Sequence, residues 1–438
     1  MNLILVLKIG NLLLNLTYPH ELGIIIMSKL NPQRALDDLK TLRQLTGDSD
    51  GAQRVAFTDV WARARDWFRE ALSELPVEVE MDAAGNIWAT LRGESDKTLA
   101  IGGHLDSVPN GGWLDGILNV IAGLEVLRRI ASEGKPPITI KLVDWADEEG
   151  ARWGRSLVGS SGFSGTMKID ELHKMVDKDG ISVADAMAKH GVILDKALDA
   201  HAGVKDVAAY LELHIEQGPV LEGLDLPMGA VLGTFGVERH WIHFTGQAAH
   251  SGSTPMDRRR DALAAGAKLA LEIREIAKRH GGVCTVGRLE LKPNIVSSVV
   301  AQLDMTLDQR HLDADALAKM YQEAREASER FAAEEKVEVS WSKIWDIHPI
   351  LFHPELIDFA DEAIKETCGV SYRLPSGPLH DAAEVARAGI PTVMLFVQSL
   401  YGISHNKIED TKEEHILMSV EALDRLATKT IAWIQGQE

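Results

Sequence analysis

Residues 102–116 read GGHLDSVPNGGWLDG, which sets His104, Asp106 and Asp115 among five glycines directly after the apolar run TLAI. Glycine at that density gives up backbone stiffness, which a chain tolerates where it must bend sharply or lie close to something. Three other apolar runs lead into groups of the same kind. ITIKLVDWA is followed by Asp147, Glu148 and Glu149, YLELHIE ends on His214 and Glu216, and GIPTVMLFVQS precedes His405. Imidazoles and carboxylates together suit zinc, and also manganese, cobalt or nickel. His104, Asp115, Glu149, His214 and His405 make five ligands, and five ligands with one bridging carboxylate can hold two divalent ions. Two such ions polarise a carbonyl and lower the pKa of a water between them. The chemistry then needs a free carboxylate to take and return a proton. Glu148, next to a ligand without being one, is the candidate.

Taken singly, each group has a plainer reading. Asp115 suits a helix cap, His214 a solvent-facing strand position, the acidic run a solvated turn, and His104 with Asp106 a satisfied polar pair. Those readings weaken together, because independent surface residues have no reason to gather where strands end.

The elements that must position these groups are legible from periodicity. Residues 58–75 and 115–134 read as helices, with apolar residues of the second at 117, 120, 121, 124, 127 and 130. Trp61, Trp67 and Phe68 read as core residues of the first. VEVEMDAAGNIWATL reads as two strands about a turn, and the four apolar runs above as strands. Alternating strands and helices predict an α/β fold, with ligands gathered beyond the carboxyl ends of its strands. The middle of the chain differs. WIHFTGQ, VCTVGRLELK, VAQLDMTLDQ and VEVSWSKIW read as strands, and residues 257–280 and 313–336 as helices. The order β-α-β-β-α-β is the ferredoxin-like pattern. The expected organisation is a catalytic domain in two parts, 27–232 and 346–438, interrupted by a smaller domain at 233–345.

The chain has 438 residues and a formal net charge of −19. An acidic surface argues against nucleic acid and anionic membranes as partners. It leaves room for a small carboxylate substrate in a local basic pocket. Two cysteines far apart, Cys284 and Cys368, give no disulfide framework or ligand spacing, and a cytoplasmic setting is expected. The first 26 residues are apolar but broken by Lys8, Asn11 and Asn15, too broken for a membrane span. They carry no small-residue cleavage site. We expect an upstream-start artefact or a disordered tail, with the working chain starting at Met27.

The stretches GGHLDSVPNGGWLDG, DEEGARWGRSLVGS, LELHIEQGPVLE, AAHSGSTPMDRRRDA, LPSGPLHDAAE and GISHNKIED, in this order over nearly the whole chain from Met27, resemble the amidase, hydantoinase and carbamoylase branch of the aminoacylase-type metallopeptidases. The resemblance implies a zinc-peptidase-like catalytic domain with a mixed sheet flanked by helices, and an inserted lid that also makes a homodimer contact. It implies one metal on His104, Asp115 and His214 and another on Asp115, Glu149 and His405, with Glu148 as general base and Asp106 orienting His104. It further implies His250 reaching the partner's active site to stabilise the oxyanion, and Arg310 clamping the substrate carboxylate in a two-pronged contact. Gln217, Asn294, Ser297 and Gly377 then fall in the substrate site. The implied activity is hydrolysis of a ureido or amide carbon–nitrogen bond: an N-carbamoyl-L-amino acid first, with allantoate, N-carbamoyl-β-alanine, N-acyl amino acids and dipeptides as alternatives. The chain departs from the branch at Ser297, where a second asparagine is usual, at Asn119, where glycine is common, and at Trp153, where phenylalanine is usual. His380 stays open between a helix start and a supporting group.

Overall fold

The computed structural model describes residues 30–437, together with the backbone of two short paired strands, Leu7–Ile9 and Leu12–Leu14. The rest of the expectation for residues 1–26 lies outside the described residues.

A nine-stranded mixed sheet forms the larger layer. At its centre run four parallel strands, in spatial order Thr392–Val397, Val207–Ile215, Ser95–His104 and Ile138–Trp145. Thr392–Val397 is buried along its whole length, and the other three over most of theirs, as strands covered on both faces must be. This changes the reading of YLELHIE. Its alternation does not separate a wet face from a dry one, because Glu212 and His214 are as buried as Leu211 and Leu213. Antiparallel strands flank this core: Met228–Thr234 on one side and Ile87–Leu91, then Glu78–Met81, on the other.

Helices Pro32–Thr46, Ile117–Ser132, Pro354–Cys368 and Glu413–Gly436 share one large apolar core with the sheet. Trp61 and Phe68 are buried in the helix Asp59–Ser73, and Trp67 packs half-buried beside them. That helix starts where Thr58 accepts a hydrogen bond from the Trp61 amide, an N-cap arrangement.

A second, antiparallel sheet has its own core, including Ile242, Phe244, Leu269, Leu303, Met305 and Leu307. Its order is Glu338–Ile347, Gly236–Thr245, Gln302–His311, then the edge. The edge expected as one strand, VCTVGRLELK, is two short ones, Val283–Thr285 and Leu289–Lys292, both paired to Gln302–His311. Helices Ala262–His280 and Ala314–Glu335 cover one face. Asp261 and Asp313 cap their starts by accepting backbone N–H groups, so both begin later than the periodicity alone suggests. The chain crosses between the sheets twice, from Thr234 to Gly236 and from Ile347 to Ile350, and the crossings are neighbours because Thr234 pairs with Ile350. Among the described residues, no helix is long and apolar enough to cross a membrane.

Candidate metal centre and the cavity beside it

The four parallel strands end at one edge of the sheet, and their ends carry the cluster. His104 closes its strand, Glu148 and Glu149 follow Trp145, Glu216 and Gln217 follow Ile215, and His405 lies in the loop after Val397. Asp115 enters from the loop before Ile117–Ser132. It is not that helix's cap. Gly116 occupies the cap position with φ +67°, and no side chain caps the helix. A Cβ on Gly116 would lie 2.2–2.3 Å from the imidazole atoms of His104. The glycine therefore serves both demands raised by the sequence: a left-handed turn and close approach, here to a ligand ring.

Two groups of donors converge. His104, Asp115 and His214 form one, and Asp115, Glu149 and His405 the other; within each group the ligand atoms lie within 4.8 Å of one another. Asp115 Oδ1 is 3.1 Å from His214 Nε2 and 3.9 Å from His104 Nε2, while its Oδ2 is 3.5 Å from His405 Nε2. His405 Nε2 lies 3.2 Å from Glu149 Oε2. The two buried histidines are set up as ligands. His104 Nδ1 faces the Asp106 carbonyl at 3.2 Å and His214 Nδ1 the Ile215 carbonyl at 2.8 Å. A carbonyl only accepts, so both protons sit on Nδ1 and both Nε2 lone pairs point into the cluster. Neither Nε2 has a hydrogen-bond partner although both are buried. An orphaned pair of this kind is what a metal ion would satisfy.

The electrostatics agree. Burial drops the His104 pKa to about 3, which keeps it neutral. Burial would raise Asp115, but the imidazoles of His214, His104 and His405 around it outweigh that and hold it low. Glu148 is pushed well up by burial and then by Asp381, Glu149, Asp106 and Asp115. Glu149 is raised for the same reasons, with Asp115 its strongest charged neighbour. So many carboxyls cannot all ionise in a dry site, where Arg54 and Arg65 are the buried guanidiniums nearby. A divalent cation held by these groups would supply the missing positive charge, and the residues present fit that role.

Asp106 lies against His104, as expected of a residue that orients it, and has a further part. Its carboxylate accepts the backbone N–H groups of Glu148 and Glu149, each at 3.2 Å. It thus fixes the turn that presents both acids, while its own carbonyl rather than its carboxylate makes the closer contact to His104 Nδ1. Glu148 Oε2 sits 3.8 Å from His104 Nε2, beside the cluster and in neither ligand group. Gln217 donates to Asp115 Oδ2 at 3.0 Å and to Ser404 Oγ at 2.9 Å, so it touches the cluster as well as the cavity.

That cavity, about 330 Å³, is lined by Asp115, Glu148, Glu149, His214 and His405 and also by Arg239, Arg310, Trp345 and Gly377. Arg310 Nε donates to Asp308 Oδ1 at 2.8 Å and Nη1 to the Gly377 carbonyl at 3.0 Å. A two-pronged contact with a carboxylate therefore has to use the Nη1–Nη2 edge. Burial would raise Asp308, but Arg310 and Arg239 hold it below its ordinary value. His250, Asn294 and Ser297 do not line this cavity. They are exposed and lie close together: Ser297 O accepts from the Ser251 amide, and His250 bridges Ser298.

Several contributors escaped sequence reasoning. Glu409 accepts the amides of Leu114 and Asp115 at 3.1 and 3.0 Å, and Ser404 donates to Asp115 Oδ2 at 2.9 Å. Both sit in GISHNKIED beside His405, a signal that was present. Arg54, fully buried and donating through Nε to the Leu105 carbonyl, had none. His380 is buried, lines the cavity and lies with its ring 4.3 Å from that of His214. Asn119 is buried with its side-chain oxygen and nitrogen unpartnered. Trp153 donates to the Ile181 carbonyl, away from the cavity.

Comparison with known proteins supports the same reading. Residues 100–429 match the peptidase family M20/M25/M40. The chain is 36% identical over 383 residues to an N-carbamoyl-L-amino acid amidohydrolase of Geobacillus stearothermophilus, covering 86% of this chain and 92% of that protein. It is 31% identical over 389 residues to an allantoate amidohydrolase of Escherichia coli, covering 87% and 93%. A crystal structure of an amidase of the hydantoinase/carbamoylase family from Burkholderia multivorans superposes with a TM-score of 0.82 at 32% identity, covering 91% of this chain and 97% of that one. The chain belongs to the peptidase family M20/M25/M40 and, within it, is a hydrolase of carbon–nitrogen bonds.

Proposed function

We propose that the protein hydrolyses the ureido carbon–nitrogen bond of an N-carbamoyl-L-amino acid. The observation that carries this is the layout of the cavity. Two ligand groups share Asp115, Glu148 stands free beside them, and Arg310 lines the same cavity. Both the amidohydrolase relatives and this geometry call for a small substrate with a carboxylate and an amide-like carbonyl.

In this reading His104, Asp115 and His214, and Asp115, Glu149 and His405, would hold two divalent ions, which would supply Lewis-acid polarisation of the carbonyl and a more acidic water. Arg310 binds the carboxylate through paired N–H groups. Glu148 takes the proton from the attacking water and returns it to the leaving nitrogen. Its dry, acid-crowded setting suits a group that must hold that proton between the two events. Asp106 keeps Glu148 and Glu149 in place through their amides. The second sheet acts as a lid and as the dimer contact, and His250 completes the site of the partner subunit by stabilising the oxyanion. Asn294 and Ser297, exposed beside His250, belong to the same contribution. The products are the free amino acid, ammonia and carbon dioxide.

The test is ammonia release from N-carbamoyl-L-amino acids, N-carbamoyl-β-alanine and allantoate. It is run on metal-stripped protein and after adding manganese, cobalt, nickel or zinc. Metal-restored release from the N-carbamoyl-L-amino acids supports the reading. Release from allantoate or N-carbamoyl-β-alanine alone, or faster cleavage of N-acyl amino acids or dipeptides, replaces it.

A further inference from the structure

A second cavity, about 460 Å³, adjoins the first and shares Phe235, Arg239, Arg310 and Gly377 with it. An N-carbamoyl α-amino acid carries its carboxylate, its side chain and the scissile nitrogen on one carbon. With the carboxylate on Arg310 and the carbamoyl group at the metal centre, the side chain must leave from a point beside Arg310. The second cavity opens there.

The sheet register fixes this relation. Val283 pairs with Arg310 and Thr285 with Asp308, and directly paired residues present their side chains on one face, about 5 Å apart at Cβ. Cys284, between them, turns to the other face, where its Sγ meets the Ile273 carbonyl of the covering helix. Val283, Thr285, Thr306 and Asp308 thus wall the annex from the same strands that pair around Arg310, and Phe235 and Gly377 complete its lining from outside those strands.

Its chemistry is that of an apolar slot. Val283 is 52% exposed, on an edge strand with room to spare. A Cβ added to Gly287 would meet only Thr306 Oγ1, at 3.9 Å. Two of the polar groups in its walls are already engaged. Thr306 Oγ1 accepts from the Arg288 amide, and the Asp308 carboxylate holds both Arg239 and Arg310. A second ureido group, as in allantoate, would find few free partners and would lose hydration for nothing. An aliphatic or aromatic side chain gains from the same surface.

We propose that this annex receives the substrate's side chain, that Val283 sets the length it accepts, and that the substrate class is N-carbamoyl-α-amino acids with apolar side chains. The inference rests on the ureido-acid reading above. The experiment compares kcat/KM for N-carbamoylglycine, N-carbamoyl-L-leucine, N-carbamoyl-L-phenylalanine and allantoate in the metal-loaded wild type, Val283→Trp and Val283→Ala. The wild type should favour leucine over glycine and over allantoate. Val283→Trp fills the annex and should cut the leucine-to-glycine ratio by about tenfold or more, the scale on which apolar pockets discriminate. Val283→Ala should raise the phenylalanine-to-leucine ratio. Turnover with a leucine-to-glycine ratio unchanged by either variant refutes the annex and leaves the ureido reading standing. Turnover of none of the four compounds by the metal-loaded wild type refutes that reading and the annex with it.

Discussion

Gly116→Ala tests whether the ring of His104 is pinned as the geometry implies. The new methyl carbon would sit 2.2 Å from His104 Cε1 and Nε2 and 2.3 Å from Nδ1, at a residue with φ +67°. Two penalties combine. A non-glycine residue in the left-handed region costs about 1–2 kcal/mol, and forcing a carbon into a filled site about 1–3 kcal/mol more. Gly134→Ala separates them. Gly134 has φ +102° and nothing within 4 Å of an added Cβ, so it bears the backbone penalty alone. The stiffening of the unfolded chain by alanine is common to both variants and cancels in the comparison. Urea unfolding of metal-stripped protein should therefore show Gly116→Ala less stable than Gly134→Ala by about 1–3 kcal/mol. The collision falls on a candidate metal ligand, so relief comes partly by turning the ring. Metal affinity, read by competition with a chromophoric chelator, should then drop by about 10–100-fold, the range seen when a ligand's support is disturbed. Gly134→Ala should keep its metal affinity. If both variants lose the same stability and both bind metal normally, His104 is not held against Gly116 and the account of the glycine-rich loop fails.

Two other substitutions separate binding from chemistry. Glu148→Gln should retain metal, since Glu148 lies outside both ligand groups, while turnover falls by about 10²–10⁴-fold; near-normal turnover with normal metal content removes the general-base assignment. Arg310→Ala should raise KM for carboxylate substrates by roughly 10–100-fold, the worth of a charge-assisted pair. Its circular dichroism should stay unchanged, because Arg310 sits at the end of a strand outside the small sheet's apolar core.

The sequence made the candidate ligand groups legible because metal chemistry restricts residue type and because strand ends are easy to read. Four apolar runs each led into histidine or acid, and the fold brings those ends to one edge. The small sheet was legible too, since its strands alternate and its helices show a 3.6-residue period. What could not be read was anything set by long-range packing. Arg54 contacts Leu105 from 51 residues away with nothing local to mark it, and Glu409 reaches Asp115 from 294 away, marked only by sharing the stretch of His405. The split of residues 283–292 into two strands and the cap at Gly116 turn on backbone angles that composition leaves open.

Asp106 shows how a correct residue can carry an incomplete expectation. A buried histidine beside an aspartate suggests a carboxylate steering the imidazole. In the structure the carboxylate is occupied by two amides, those of Glu148 and Glu149, and the backbone carbonyl of the same residue faces the ring. One residue thus sets a ligand on each side of the cluster and the free acid between them. Burial lifts its own pKa to about 6, while the two amides and Arg65 favour its charged form, so ionised Asp106 and an intact Glu148–Glu149 turn support each other. The ligand set is therefore not five independent side chains. Two of its members, His104 and Glu149, are tied with Glu148 through one residue, Asp106, by its carbonyl on one side and its carboxyl on the other, which is why they read as a cluster only once the strand ends are placed together.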